Sequence, residues 1–284
     1  MKPTFAIGLT LALAAPAGAT DWPGSWHEPT EPFHIVGNVY YVGGKGLASY
    51  LIVSKQGDIL LDGTLAENVP FIEGNIAKLG FDIKDVKILL NTHAHFDHAA
   101  GLAQLKADSG ATLFASAGDR PILESGHITV ENSNDLPDFP PVKVDHEVRD
   151  GEIVQLGSIK MRAVLTPGHT PGCTSWSLDV PDRGRMLKVL LPCSLTSAGN
   201  KLIGNKTYPG IVDDYRKSFA RLSAEKADVV LTAHPELTDV LGRAARRQGD
   251  VADPFIDPAL LPRLVSDART QFEQDLAAER TKAP

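Results

Sequence analysis

The stretch Asn91-Thr92-His93-Ala94-His95-Phe96-Asp97-His98 packs three of the chain's nine histidines and one carboxylate into six positions. Neutral imidazoles and carboxylates are ligands that zinc accepts, and the segment contains no cysteine, which argues against a structural thiolate site. Four donors so close in sequence cannot all bind one tetrahedral ion without strain. His93 and His95 alternate and can point to one side, while Asp97 and His98 follow and can face a neighbouring site. Each ion then needs one more protein ligand from elsewhere. Two later histidines stand in suitable places: His169 in Thr166-Pro167-Gly168-His169-Thr170-Pro171-Gly172, and His234 in Thr232-Ala233-His234-Pro235. The remaining His27, His34, His127 and His146 lack metal-like neighbours and read as ordinary surface or hydrogen-bonded residues.

The elements that must position these residues follow from the hydrophobic pattern. Val39–Val42, Ala48–Val53 and Ile59–Leu61 read as strands of an antiparallel meander separated by glycine-containing turns. Glu67–Leu79 is amphipathic and stops at Gly80, as a helix does. Val86–Leu90 is a continuous apolar run of strand length, so a buried strand leads straight into the histidine loop, and a second helical stretch covers Ala99–Lys106. Residues 126–141 read as a long surface loop. Strands are expected again at Val142–Val144, Ile153–Leu156, Ile159–Leu165, Thr174–Leu178, Leu187–Leu191 and Val229–Leu231, with helices at Ile211–Ala224 and in two stretches after His234. His169 and His234 each follow an expected strand, so three strand ends present three ligand loops. This order implies an α+β chain: two sheets packed face to face with helices outside, a four-layer αββα sandwich.

Lys2, the uncharged apolar run Phe5–Ala15 and the small residues Pro16-Ala17-Gly18-Ala19 predict a signal peptide cleaved after Ala19, leaving residues 20–284 as one domain outside the inner membrane, in the periplasm. Removing Lys2 with that segment moves the formal charge from −7 to −8. A net acidic chain without a Lys/Arg-rich run argues against nucleic acid or an anionic membrane as partner. A monomer acting on a small molecule is expected. Cys173 and Cys193 lie ten residues either side of Arg183, within a hairpin expected around residues 181–184. Read as directly opposed, they are near enough to form a disulfide, the alternative being two buried thiols.

The spacing His-x-His-x-Asp-His at His93–His98 resembles the metallo-β-lactamase superfamily, over nearly all of the mature chain. That motif is shared by thioesterases, lactonases and nucleases of the superfamily. The thioesterase and lactonase branches carry a metal-bridging aspartate after a later strand, whereas Leu190-Leu191-Pro192-Cys193-Ser194-Leu195-Thr196 has no acid. The segment Gly168–Trp176 and the serine at Ser194 are most similar to subclass B3 of the β-lactamases. The resemblance implies two Zn²⁺ ions, His93, His95 and His169 on the first and Asp97, His98 and His234 on the second. Some members have a tyrosine suspected of contacting the oxyanion where Asn200 stands here, which makes Asn200 a candidate substrate contact. Members with a second disulfide have cysteines near the C-terminus; this chain has none, leaving packing to hold its last helix.

The implied activity is zinc-dependent opening of the β-lactam ring, conferring resistance. The expected nucleophile is a hydroxide between the ions, because zinc lowers the pKa of bound water to ≈ 7. Asp97 is the expected catalytic carboxylate, anchoring the second zinc and orienting that hydroxide. The two ions, Asp97 and the hydroxide sum to about +2, enough to draw in an anionic substrate. Ser194 and Thr196, two apart on an extended chain, face one side and are expected to bind the substrate carboxylate. Asp62 is either an acceptor that orients a ligand histidine or a turn residue before Gly63. Other readings are a thioesterase or lactonase of the same fold, and a non-catalytic periplasmic zinc-binding protein.

Overall fold

A computed structural model of the chain describes residues 22–247 and 253–282. The expected signal peptide, Met1–Ala19, lies outside the described residues. Two mixed β-sheets face one another with helices on both outer sides, the four-layer arrangement that the pattern implied.

The first sheet takes its seven strands in chain order: β1 (Phe33–Val36), β2 (Val39–Tyr41), β3 (Tyr50–Ile52), β4 (Asp58–Leu61), β5 (Val86–Leu90), β6 (Thr112–Ser116) and β7 (His146–Val148). The meander β1 to β4 is antiparallel; β4 through β7 pair in parallel. Helices α1 (Val69–Lys78), α2 (Phe96–Ala99), α3 (Leu102–Ser109) and α4 (Arg120–Ser125) connect the parallel part. The second sheet contains β8 (Ile153–Leu156), β9 (Ile159–Leu165), β10 (Thr174–Asp182), β11 (Arg185–Leu191) and β12 (Val229–Val230), with helices α5 (Ile211–Ala224), α6 (Val240–Ala245) and α7 (Leu260–Lys282).

Alternation along the strands sorts their side chains between layers. Tyr50, Ile52, Ile59, Leu61, Ile88 and Leu90 pack between the sheets with Trp176 and Val189, whereas Leu51, Leu60 and Leu89 face α1 and α3. On the far side, Leu190 and Val230 meet α5 and α7. Phe272 of α7 packs on Tyr215 at 4.7 Å and on Phe219 at 5.5 Å between ring centroids. Burying one such ring contributes about 1.5–3 kcal/mol. Polar contacts add to this packing: Glu279 accepts from the amides of Leu202 and Ile203, and Ser197 donates to Asp275.

Strand direction explains why the chemistry gathers at one edge. In the first sheet, β4, β5 and β6 run in parallel, so Asp62, the His93–His98 loop and Asp119 leave from adjacent strand ends. In the second, β9 and β11 both run against β10, and β12 is parallel to β11. The loops carrying His169, Ser194 with Thr196, and His234 therefore emerge together. Cross-sheet hydrogen bonds bring the two edges together: Tyr50 Oη donates to Thr232 O at 2.7 Å, and Thr174 N to Thr92 O at 2.8 Å.

Several expectations need correction. The strand expected at Val142–Val144 is irregular chain, and the strand begins at His146. Val142 and Val144 are buried in the helix-side core, and their amides bond to Leu123 O and the Glu124 carboxylate instead of joining a ladder. The helix expected at Ala99–Lys106 divides into α2 and α3, so His98 belongs to a short helix of its own. Strands β1 and β6 and helix α4 were not anticipated. Cys173 and Cys193 do form a disulfide, with Cα atoms 5.8 Å apart. The register behind that expectation was off by one: Asp182 pairs with Arg185 and Trp176 with Leu191, around a two-residue turn at Arg183-Gly184. Both turn residues have positive φ, 47° and 81°, as a tight hairpin turn of that hand requires. The cysteines therefore join diagonally, just beyond the strand ends.

Candidate metal centre

All six expected ligands meet at this edge. One ligand atom each from His93, His95 and His169 lie within 4.8 Å of one another, and the same holds for His93, Asp97 and His98, so His93 stands where the clusters join. His234 completes the second cluster, its Nε2 3.2 Å from His98 Nε2 and 3.3 Å from Asp97 Oδ2; His98 Nε2 is itself 3.2 Å from Asp97 Oδ2.

The first cluster is built of neutral rings aimed from behind. Thr92 Oγ1 donates to Asp62 Oδ2 at 2.7 Å, so at 3.1 Å it can only accept from His93 Nδ1–H, which leaves the lone pair on Nε2. His169 Nδ1 donates to Thr196 O at 2.8 Å, with the same result. Gly168 precedes His169 at φ 142°, and a Cβ there would stand 2.8 Å from the Tyr215 ring, so only glycine lets this loop lie on α5. Burial, then the neighbouring histidines, hold His93 and His169 well below the usual imidazole range; burial lowers His95 to about 4, with Asp97 opposing. Neutral imidazole is the metal-binding form.

The second cluster is governed by charge. Burial alone would raise Asp97, but His98's charge and the hydrogen bonds of His234 and His98 outweigh it and hold the carboxyl well below the usual range. Burial likewise opposes a proton on His98, yet Asp97 and Asp62 turn the balance upward. Asp62 is buried at φ 63°; it accepts from Thr92 N at 2.7 Å and Asn91 Nδ2 at 2.9 Å, and lies 3.9 Å from His98 Nδ1, beyond hydrogen-bond range. It is thus a turn residue whose carboxylate also braces the histidine loop.

The donor set fits a divalent metal such as zinc. His93 Nε2 and His95 Nε2 are buried without a hydrogen-bond partner. Buried polar atoms are otherwise almost always paired, and three neutral imidazoles beside a carboxylate-imidazole pair are what zinc accepts.

A groove of about 360 Å³ adjoins the clusters, lined by residues 192–196, His234, Leu237 and α7. Ser194 Oγ and Thr196 Oγ1 line it together, 3.1 Å apart. Trp26 closes another side of the centre, its ring 5.5 Å from that of His234 and stacked on Trp22. A larger cavity, about 720 Å³, opens between residues 131–133, 197–202 and α7. Its Lys201–Glu131 and Ser197–Asp275 pairs satisfy each other, and no ligand cluster faces it, so the smaller groove is the one with chemistry.

Asn200 does not face that groove. Its Nδ2 donates to His169 O at 2.8 Å and its Oδ1 accepts from Asn132 at 2.9 Å, so both ends of the amide support the His169 loop. Its place after Ser194 implied a substrate contact, whereas the fold turns its side chain to the backbone of the His169 loop. Of the other histidines, His34 bonds Gly37 O, while His27, His127 and His146 pair with the exposed or half-buried Glu67, Asp138 and Glu152. Sequence reasoning missed Asp119 and Trp26. Asp119, in Ser-Ala-Gly-Asp-Arg-Pro, reads locally as a helix start, and only the fold brings it to the site.

Comparison with known proteins agrees with this geometry. The family model described as metallo-beta-lactamase superfamily matches residues 42–234. Among solved structures, the subclass B3 metallo-beta-lactamase BJP-1 of Bradyrhizobium japonicum is 43% identical with a TM-score of 0.87, covering 91% of this chain and 98% of that one. The FEZ-1 metallo-beta-lactamase of Legionella gormanii is 37% identical with a TM-score of 0.85, covering 89% and 98%. Curated relatives match over shorter stretches. Hydroxyacylglutathione hydrolase of Methylococcus capsulatus is 37% identical over 84 residues, 30% of this chain and 26% of the relative. That of Rhodospirillum rubrum is 32% identical over 113 residues, 40% and 35%. The chain thus spans about a quarter to a third of those hydrolases. With one histidine-rich edge between two packed sheets and a family match across most of the fold, the chain belongs to the metallo-beta-lactamase superfamily.

Proposed function

We propose that the protein hydrolyses the ring amide of β-lactam antibiotics with two zinc ions, and so confers resistance to them. The reading rests on one observation above all: the segment beside His234 brings two hydroxyls and no carboxylate to the groove. A thioesterase-type centre calls for an acid there, which disfavours the activity of the hydroxyacylglutathione hydrolases. The subclass B3 neighbours, similar over nearly the whole chain, support the same choice.

His93, His95 and His169 would hold one zinc, and Asp97, His98 and His234 the other. Bound there, the pair supplies an acidified water and an electrophile for the amide carbonyl. The chain's own residues do the rest. Asp97 accepts a hydrogen bond from the attacking water and orients it. Ser194 and Thr196 donate to the carboxylate that a penicillin-like nucleus carries beside its ring nitrogen. Leu237, Leu264 and Ala268 give the groove apolar walls, and Trp26 covers His234 from the other side of the centre. The Cys173–Cys193 bond suits an oxidising compartment and supports the expected export to the periplasm.

The test is a turnover panel of a carbapenem, a cephalosporin, a thioester and a homoserine lactone, run on the wild type and on Ser194→Ala/Thr196→Val. A hydrogen bond to a charged group is worth about 1.5–3 kcal/mol, or roughly 10- to 150-fold. The carboxylate is bound both before and during ring opening, so this loss should enter KM, with kcat and zinc content near wild type. Thioester turnover without β-lactam turnover would sink the reading.

A further inference from the structure

Asp119 is buried, and no lysine, arginine or histidine pairs with its carboxylate among the described residues. Its partners are three neutral donors on two loops from different sheets. Oδ2 accepts from Ala94 N at 3.0 Å and from Thr170 Oγ1 at 2.9 Å; Oδ1 accepts from Gly172 N at 2.9 Å. Ala94 lies between the ligands His93 and His95, and Thr170 follows the ligand His169 directly.

The surroundings allow this carboxylate little freedom. Ser116 Oγ donates to Gly172 O at 2.5 Å, and a Cβ on Gly172 would stand 2.2 Å from Asp119 N, so the two backbones are in contact. The position is filled by an acid for a reason of hydrogen-bond polarity. All three partners are donors, and an ionised carboxylate is the side chain of this size that offers acceptors only. Asparagine would fit the space but must turn an N–H toward one donor.

We propose that Asp119 is the positioning residue of the first metal site: it sets the distance between the His93–His95 loop and the His169 loop, so that three ligands from two sheets meet without rearrangement. It touches neither ion nor substrate. The proposal rests on the six-ligand, two-ion assignment made above. Partners one step behind metal ligands commonly govern metal affinity by 10–100-fold, and that is the size of effect expected here.

The experiment isolates each site. His234→Ala leaves the first site as the metal-binding one, and His169→Ala the second. Zinc affinity is measured by chelator competition in both backgrounds, alone and with Asp119→Asn or Thr170→Val, and the Co²⁺ absorption spectrum reports ligand geometry. Thermal unfolding of the metal-free proteins checks the fold. Asp119→Asn should weaken zinc about 10- to 100-fold in the His234→Ala background and shift the cobalt spectrum. In the His169→Ala background it should change affinity less than about threefold. Thr170→Val, which removes one of the three bonds and keeps the acid, should give a smaller loss of the same selectivity. Wild-type first-site affinity in both variants overturns the role, and so does an equal loss at both sites. If Asp119→Asn does not fold, Thr170→Val decides alone, and an unchanged first site then overturns the proposal. If neither histidine variant loses a zinc, the ligand assignment itself is wrong and the role falls with it.

Discussion

The two ligand clusters lie side by side yet are organised differently. In the first, the far nitrogens of His93 and His169 are fixed by the protein, through Thr92 Oγ1 and Thr196 O. In the second, His98 Nδ1 has no hydrogen-bond partner, and His234 Nδ1 lies 3.8 Å from an exposed Glu236 carboxylate. What holds that cluster is the ionised Asp97 set between two imidazoles. Metal ligands can thus be aimed from behind by hydrogen bonds or gathered from the front by a charge. The first mode costs conformational freedom during folding and leaves the site preorganised; the second leaves the rings freer and makes one carboxylate indispensable.

The largest expected effect comes from breaking the charge. Asp97→Asn removes the anion and should lower zinc content from about two to about one per chain. Turnover should fall more than 100-fold, beyond the 10–100-fold usual for outer partners. Metal analysis with kinetics checks it; a variant holding two zincs at full rate would show that the second cluster does not depend on charge. A middle effect is expected at the first cluster. Thr92→Val takes away both the acceptor for His93 and the hydroxyl donated to Asp62, so zinc affinity should drop about 10- to 100-fold. Chelator competition measures it, and unchanged affinity would mean that His93 is aimed by packing alone. The smallest effect belongs to Glu236→Gln. The carboxylate is 61% exposed and outside hydrogen-bond range of His234, so zinc affinity should move less than about fivefold. A larger change would reveal that the second cluster is also oriented from behind.

Much of the centre was legible because its signals are local. The His93–His98 spacing, the apolar run Val86–Leu90 and the strand ends before His169 and His234 each sit within a few residues of one another. Strands β5, β8 and β9 and helix α5 have the bounds that their apolar runs implied. The cysteine pair was found despite a register error of one, because a disulfide tolerates diagonal placement as well as direct opposition. What stayed hidden depends on contacts between distant segments. Val142 and Val144 alternate like a strand but are buried against α4, so periodicity alone misassigns them. Asn200 was assigned a substrate contact from its place after Ser194, whereas its amide bonds point inward to His169 and Asn132. Asp119 and Trp26 have no neighbour in sequence that marks them; their roles exist only once β6 and the N-terminal segment are in place.

The division between buried ligands and accessible groove has a consequence for how such an enzyme can change. Five of the six ligands and their braces are buried within the packed edges of the sheets, with His234 at the rim of the groove, and most substitutions among them disrupt a buried network. Thr196 and Leu237 are exposed and Ser194 half-buried. Exchanges at such sites usually shift stability by no more than about 0.5 kcal/mol. Selection can therefore rewrite what the groove admits while the hydrolytic centre stays in place, so diversification among relatives is expected to concentrate in the loops after β11 and β12.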